Sequence, residues 1–170
     1  MEFEEVIKTR RSIREYTSKE VEDDLIEKIL KAGMQAPGSR LNAEPWEFLI
    51  IKNKNTLEKL SEIKPRLKTA PVAIVLLANM EKSFYKEVWQ QDMSACAENM
   101  LLEACNLGLG GLWNGVAPLE DRMNEISKIL NISDENIKPF CIITIGYPSE
   151  GWENKFMDKY DKTRIHYETY

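Results

Sequence analysis

The 170-residue sequence has a single histidine, His166, and only three cysteines, Cys96, Cys105 and Cys141, with no C-x-x-C spacing among them. Imidazole is the usual base of a Ser-His-Asp triad and a common zinc ligand, so scarcity of histidine argues against both chemistries. Two of the cysteines fall in an apolar helical stretch and the third in an apolar strand-like run. That placement predicts buried, reduced thiols and suits a cytoplasmic location. Long hydrophobic runs are also missing: the longest strongly apolar one, Val72 to Ala78, is far too short to cross a bilayer. The start of the chain is acidic (Glu2, Glu4, Glu5), without the apolar stretch of a secretory signal. Positive charge is in deficit, with 23 basic against 28 acidic residues, a net charge of −5 and a pI near 5.1. Such a field does not draw nucleic acid. No P-loop is present, and Gly108-Leu109-Gly110-Gly111 does not give G-x-G-x-x-G after a strand. A dinucleotide held in a Rossmann fold is therefore not expected. An enzyme built from this sequence is expected to rely on a cofactor for its difficult chemistry.

The composition, 43% hydrophobic and 30% charged, is that of an ordinary globular protein. Its length predicts one domain, residues 1–170. A first helix is expected from about Glu2 to Thr9, then a basic loop. Thr17 and Glu20 have capping-box spacing and predict the start of a second helix, whose apolar positions run from Val21 to Met34 and which stops at Ala36-Pro37-Gly38. Trp46 to Lys52 reads as a strand, Leu57 to Ile63 as a short helix, and Val72 to Ala78 as a strand covered on both faces. The longest helix is expected from about Lys86 to Leu107. From Met93 onward it carries only Glu98 and Glu103 as charges, with Asp92, Asn99, Glu103 and Asn106 in a narrow polar stripe. A helix so apolar is central to the domain, shared with a second subunit, or both. Gly108 is placed to end it. Gly111 to Val116 reads as a short strand, Pro118 as the opening of a helix with Leu119, Met123, Ile126 and Leu130 on its apolar face, and Phe140 to Ile145 as a last strand. The tail from Ser149 to Tyr170 has no clear periodicity.

Three segments could carry chemistry. Lys8, Arg10, Arg11 and Arg14 concentrate positive charge in an acidic chain. They form either a solvated basic loop or an anion site in which guanidinium forks and the Ser12 hydroxyl converge on phosphate. Lys162 and Arg164 would share one face of an extended tail and could complete a clamp around a dianion. The loop from Pro37 to Trp46 is polar and rich in turn residues. Its amides, hydroxyl and carboxamide could meet the rim of a flat heterocycle, or it could be a plain connection.

Taken together, five motifs resemble the flavin-dependent nitroreductase family: Arg10-Arg11-Ser12-Ile13-Arg14, Asn42-Ala43-Glu44-Pro45-Trp46, the apolar helix with Glu98-Asn99-Met100-Leu101-Leu102 running into Leu107-Gly108-Leu109-Gly110, Ile145-Gly146-Tyr147-Pro148, and Lys162-Thr163-Arg164. The resemblance spans almost the whole chain. It implies an α+β fold with a mostly antiparallel central sheet flanked by helices, in a homodimer with FMN at the subunit interface. It implies that Arg10, Lys162 and Arg164 hold the phosphate with Ser12 alongside, within a basic loop that includes Arg11. Arg14 would then face the N1–C2 edge of the ring. Ser39 and Asn42 would come from the partner loop that starts at Pro37, and the Asn114-Gly115 backbone would approach N5. No side-chain nucleophile is implied; hydride would pass from NADH or NADPH through flavin N5 to a nitroaromatic or quinone in ping-pong fashion. Other flavin chemistry on the same fold (dehalogenation, dehydrogenation, flavin breakdown) and a non-catalytic flavin-binding module are the alternatives. The Pro37–Asn42 span is one residue longer than the commonest family spacing, so either Gly38 or Ser39 would meet the flavin. Glu44 stands where glutamine is usual, and the helical insertion that covers substrate in larger members is missing. A more open pocket with relaxed substrate choice is expected.

Overall fold

In the computed structural model, which describes residues 1–40 and 43–170, four strands form one antiparallel sheet in the order β1-β2-β4-β3. The strands are β1 (Trp46–Ile51), β2 (Val72–Asn79), β3 (Gly110–Gly115) and β4 (Ile137–Gly146). The helices are α1 (Phe3–Thr9), α2 (Asp23–Met34), α3 (Lys54–Ile63), α4 (Trp89–Asn106) and α5 (Glu120–Ile129), with short 3₁₀ turns at Pro65–Leu67 and Lys162–Arg164. The expected α+β architecture is present, and each apolar run named from the sequence lies in its expected kind of element.

The side-chain alternation of β2 divides the core in two. Val72, Ile74, Leu76 and Ala78 face α2 and α4, in a cluster that takes in Ile29, Met93, Met100 and Ile143. Ala73, Val75 and Leu77 face the other way, toward Leu57 and Leu60 of α3 and Ile126 of α5. With both faces covered, the strand needs apolar residues throughout, as it has. Each of its larger side chains contributes roughly 1.5–3 kcal/mol on burial.

Helix α4 lies against that sheet. Its polar stripe is half-buried at Asn99, Glu103 and Asn106, and two of its side chains bond neighbouring segments. Asn99 donates to the Ala32 carbonyl of α2 at 3.2 Å, and Asn106 accepts from the Met1 ammonium at 2.7 Å. Gly33 of α2 lets the two helices close, since a Cβ there would lie 2.8 Å from Met100 Cγ. The helix ends at Asn106, and the chain turns away at Gly108, whose φ of +76° suits a residue without a side chain.

Three boundaries differ from expectation. Thr17 and Glu20 do not form a capping box: α2 begins at Asp23, and the Thr17 amide donates instead to the Tyr147 carbonyl at 2.9 Å. The 17–22 segment is thus held by the end of β4, while Asp23 and Asp24 supply negative charge to the first turn of the helix. Pro118 does not open α5 but lies in the preceding turn, and Leu119 at the helix border is exposed. Strand β4 also starts earlier than expected, at Ile137. It accommodates Pro139 next to a register shift between Leu76 and Leu77 of β2, beyond the stretch where β3 pairs with it.

Candidate functional site

The basic loop after α1 is built onto the outer edge of β3. Ser12 forms a parallel bridge with Gly111, and the Ile13 amide donates to the Gly111 carbonyl at 3.0 Å. Ile13 is buried directly over Gly110, where a Cβ would lie 2.7 Å from Ile13 Cβ. No other residue fits at position 110 without displacing the loop. From beneath, Tyr16 Oη donates to the Ile13 carbonyl at 2.8 Å and lies 2.9 Å from Thr144 Oγ1 on β4. Burial pushes the Tyr16 phenol far above its ordinary value, so it stays a neutral hydrogen-bonding group. A third tie comes from the tail. Asn154 Oδ1 accepts from the Arg11 amide at 2.9 Å while its Nδ2 donates to the Leu109 carbonyl, also at 2.9 Å.

On this frame the cations take different positions. Arg10 pairs with Glu98 of α4, Nε to Oε1 at 3.3 Å. Arg14 donates to the Ser12 carbonyl at 3.1 Å, and its guanidinium lies 6.0 Å from the Trp152 ring centre. Arg11 turns onto backbone carbonyls of Lys8 and Arg10, and its Nε is buried without a partner among the described residues. Lys8 pairs with Glu4. Lys162 and Arg164 lie on the exposed 3₁₀ turn of the tail. Arg164 pairs with Asp161 at 3.3 Å, and bonds from Thr163 hold the Asp161 carboxyl below its usual range. No hydrogen bond or ion pair joins these two tail cations to the arginine loop among the described residues. Asn154, eight residues before Lys162, links the tail to the loop, as does Arg11, which donates to the Met157 carbonyl at 3.5 Å.

The remaining predicted residues lie on two further segments. Asn114 is buried, with its amide donating to the Ile142 carbonyl at 3.1 Å and the Leu112 carbonyl at 3.4 Å, so its side chain serves the sheet. Gly115 next to it has no heavy atom nearer than 4.0 Å to where a side chain would start, which leaves backbone open to a flat group. Pro37 and Gly38 are exposed, and Gly38 approaches the Ala43 carbonyl so closely that a Cβ would lie 2.4 Å from it. Ser39 Oγ is buried with no partner among the described residues. Asn42 lies outside the described residues. A cavity of about 820 Å³ lies elsewhere, between α3 and the 17–21 segment, and includes none of the predicted residues.

These residues fit an FMN-type ligand. Fixed guanidinium groups and a hydroxyl suit a phosphate monoester. The Ser39 hydroxyl, without a partner among the described residues, and the bare backbone at Gly115 offer a hydrogen-bonding group and an open face for a ring. The donor set does not suit a metal: no cluster of three or more His, Cys, Asp or Glu occurs among the described residues. The three cysteines are buried and free; burial pushes Cys96 up to about 12 and raises Cys105 and Cys141, which keeps them as inert thiols. Among the described residues no helix is long and apolar enough to cross a membrane.

Tyr16, Thr144 and Asn154 were not singled out in the sequence. Each acts through a partner more than a hundred positions away, and no local spacing marks such a pair.

Comparison with known proteins shows the family and the fold. The model of the nitroreductase family matches residues 7–64 and 62–147. A protein of Methanothermobacter thermautotrophicus, provisionally assigned as an NADH dehydrogenase/NAD(P)H nitroreductase, is 43% identical over 171 residues, covering 99% of this chain and 87% of the relative. The crystal structure of a provisionally assigned NADH oxidase of Clostridium acetobutylicum superposes with a TM-score of 0.92 at 49% identity, covering 97% of this chain and 99% of the other. An FMN-dependent nitroreductase of Clostridium difficile R20291 has a TM-score of 0.86 at 36% identity, covering 97% and 98%. An arginine loop locked onto β3 and full-length similarity in both sequence and fold lead to one conclusion: this chain belongs to the nitroreductase family.

Proposed function

We propose that this chain is an FMN-dependent oxidoreductase that takes reducing equivalents from NADH or NADPH and passes them to a small acceptor, a nitroaromatic or quinone, in ping-pong fashion. The observation that carries the reading is the arginine loop, fixed at Ile13 by Gly110, Tyr16 and the Gly111 carbonyl, so that Arg10, Ser12 and Arg14 project from a rigid base. When bound, FMN supplies the hydride-accepting centre; the protein supplies position and electrostatics.

In this reading Arg10 and Ser12 hold the phosphate, joined by Lys162 and Arg164 when the tail closes. Arg11 fixes the loop through its contacts with backbone carbonyls. Arg14 lies at the N1–C2 edge of the ring, where a fixed positive charge favours the anionic reduced form. The backbone at Asn114-Gly115 faces N5. Pro37, Gly38, Ser39 and Asn42 come from a second copy of the chain, which closes the site and shields it from water. A homodimer also accounts for exposed apolar side chains on α1, Phe3 and Ile7, and for the half-buried Leu102 of α4. The site would then be a cleft between chains rather than a cavity within one. Reduced, buried thiols suit a cytoplasmic setting.

The test is an absorption spectrum of the protein loaded with FMN, recorded anaerobically before and after NADH or NADPH, together with light scattering for its mass. The expected result is a flavin band bleached by at least one nicotinamide, on a dimer. A protein that binds FMN yet is bleached by neither would end the oxidoreductase reading.

A further inference from the structure

Pro45, just before β1, and the start of the 79–88 connection after β2 meet at one end of the sheet, where the Asn79 amide donates to the Pro45 carbonyl at 2.7 Å. The connection is tightly held at its base. Asn79 Oδ1 accepts from the Glu81 amide at 3.0 Å, Lys82 pairs with Glu47 of β1, and Ser83 is buried. This rigid base nevertheless carries two large aromatic residues into solvent: Phe84 is 46% exposed and Tyr85 51%, with ring centres 4.6 Å apart and planes at 89°. The guanidinium of Arg40 lies 4.1 Å from the Phe84 ring centre. Arg40 is exposed and pairs with no carboxylate among the described residues, although acids outnumber bases in the chain.

A cation parked on an aromatic face can leave it for an anion at little cost. The stacking is worth about 0.5–1 kcal/mol at an exposed site, whereas a charge-assisted bond to a carboxylate is worth about 1.5–3 kcal/mol. The freed face of Phe84, with Tyr85 at its edge, would then offer a stacking surface for a planar ring. Arg40 also directly follows Ser39, whose hydroxyl is assigned above to the flavin. The only charge opposing an anion within the 37–45 segment is Glu44, which is exposed.

We propose that Arg40, Phe84 and Tyr85 recognise the electron acceptor, and that they select planar aromatic compounds bearing a carboxylate over neutral ones. Arg40 holds the carboxylate and Phe84 and Tyr85 hold the ring. The proposal rests on the FMN reading and deepens it by naming the acceptor class.

The test uses the FMN-loaded full-length protein. Oxidised protein is titrated with benzoate and with benzamide, neither of which accepts hydride, and the flavin absorption shift gives each dissociation constant. Initial rates with 4-nitrobenzoate and 4-nitrobenzamide then give kcat/KM. Wild type should favour the carboxylate by about 5- to 20-fold, the worth of one charge-assisted contact at a partly exposed site. Arg40→Gln should bring that ratio close to one in both binding and kcat/KM without changing FMN affinity. Phe84→Leu should weaken both ligands together and preserve the ratio. A ratio unchanged in Arg40→Gln, or a wild type with no preference, would overturn the proposal. Loss of FMN affinity or of dimer mass in Arg40→Gln would assign the cluster to the chain interface and overturn it as well. A wild type that takes up no FMN would instead remove the cofactor reading beneath it, and that is visible before any acceptor is added.

Discussion

Tyr16→Phe isolates one atom under the arginine loop. The phenol has one hydrogen, which it gives to the Ile13 carbonyl at 2.8 Å, while Thr144 Oγ1 at 2.9 Å can donate to the phenolic oxygen. Removing that oxygen leaves a buried carbonyl and a buried hydroxyl each short of a partner. Leaving a buried polar group unpaired costs about 1–3 kcal/mol, and the two losses share one site, so destabilisation of about 2–3 kcal/mol is expected. Thr144→Val removes the second hydroxyl, so the double variant should recover about 1 kcal/mol relative to the sum of the singles. Urea unfolding measures all three. A second signature lies in alkaline solution. The folded phenol titrates well above its ordinary value near 10, because burial disfavours the phenolate. The unfolded chain therefore releases this proton first, and stability that is fully present below about pH 10 falls by about 1.4 kcal/mol per pH unit above it. Cys96, Cys105 and Cys141 act with the same sign from a somewhat lower pH. Tyr16→Phe should keep the cysteine contribution and lose its own, giving a shallower decline above about pH 10. A variant less than about 0.5 kcal/mol below wild type, or with an unchanged alkaline slope, would refute the idea that this hydroxyl locks the loop.

Other outcomes follow from the same frame. Gly110→Ala places a methyl against Ile13 and should cost about 1–3 kcal/mol by overpacking, with FMN affinity falling alongside in an equilibrium titration. Asn154→Ala unpairs the Arg11 amide and the Leu109 carbonyl, costing about 1–3 kcal/mol by urea unfolding; Asn154→Asp keeps the acceptor but not the donor and should fall in between. Arg164→Ala should weaken FMN retention, measured by apo-protein titration, whereas Arg14→Ala should chiefly lower the flavin potential in spectroelectrochemistry; equal effects from both would contradict their separate assignments. The folded protein should resist a thiol-reactive disulfide reagent, and all three cysteines should react once urea unfolds it.

Much of this fold is legible because its signals are local. The β-branched run of β2 and the long apolar stretch of α4 each specify an element by themselves. Thr17 and Glu20 misled because the Thr17 amide had a better partner, the Tyr147 carbonyl, far away in the sequence. The early start of β4 was hidden by Pro139, a residue that local rules place outside strands. The arginine loop could be recognised from its charge, but what holds it could not. Tyr16 with Thr144 and Asn154 with Arg11 are pairings across most of the chain, and Arg11 looks no different in sequence from Arg10 until it is seen turned onto backbone carbonyls.

Strand β3 carries the arginine loop at one end, over Gly110 and Gly111, and the bare backbone of Gly115 at the other. At about 3.3 Å of rise per residue, it works as a ruler roughly 13 Å long between Gly111 and Gly115. Substitutions along it change what its side chains pack against, but a deletion would shorten the gauge. It would also turn Asn114 onto the opposite face of the sheet, since strand faces alternate with every residue. These six positions should therefore tolerate almost no change in length, a restriction on how the family can drift that no single contact imposes.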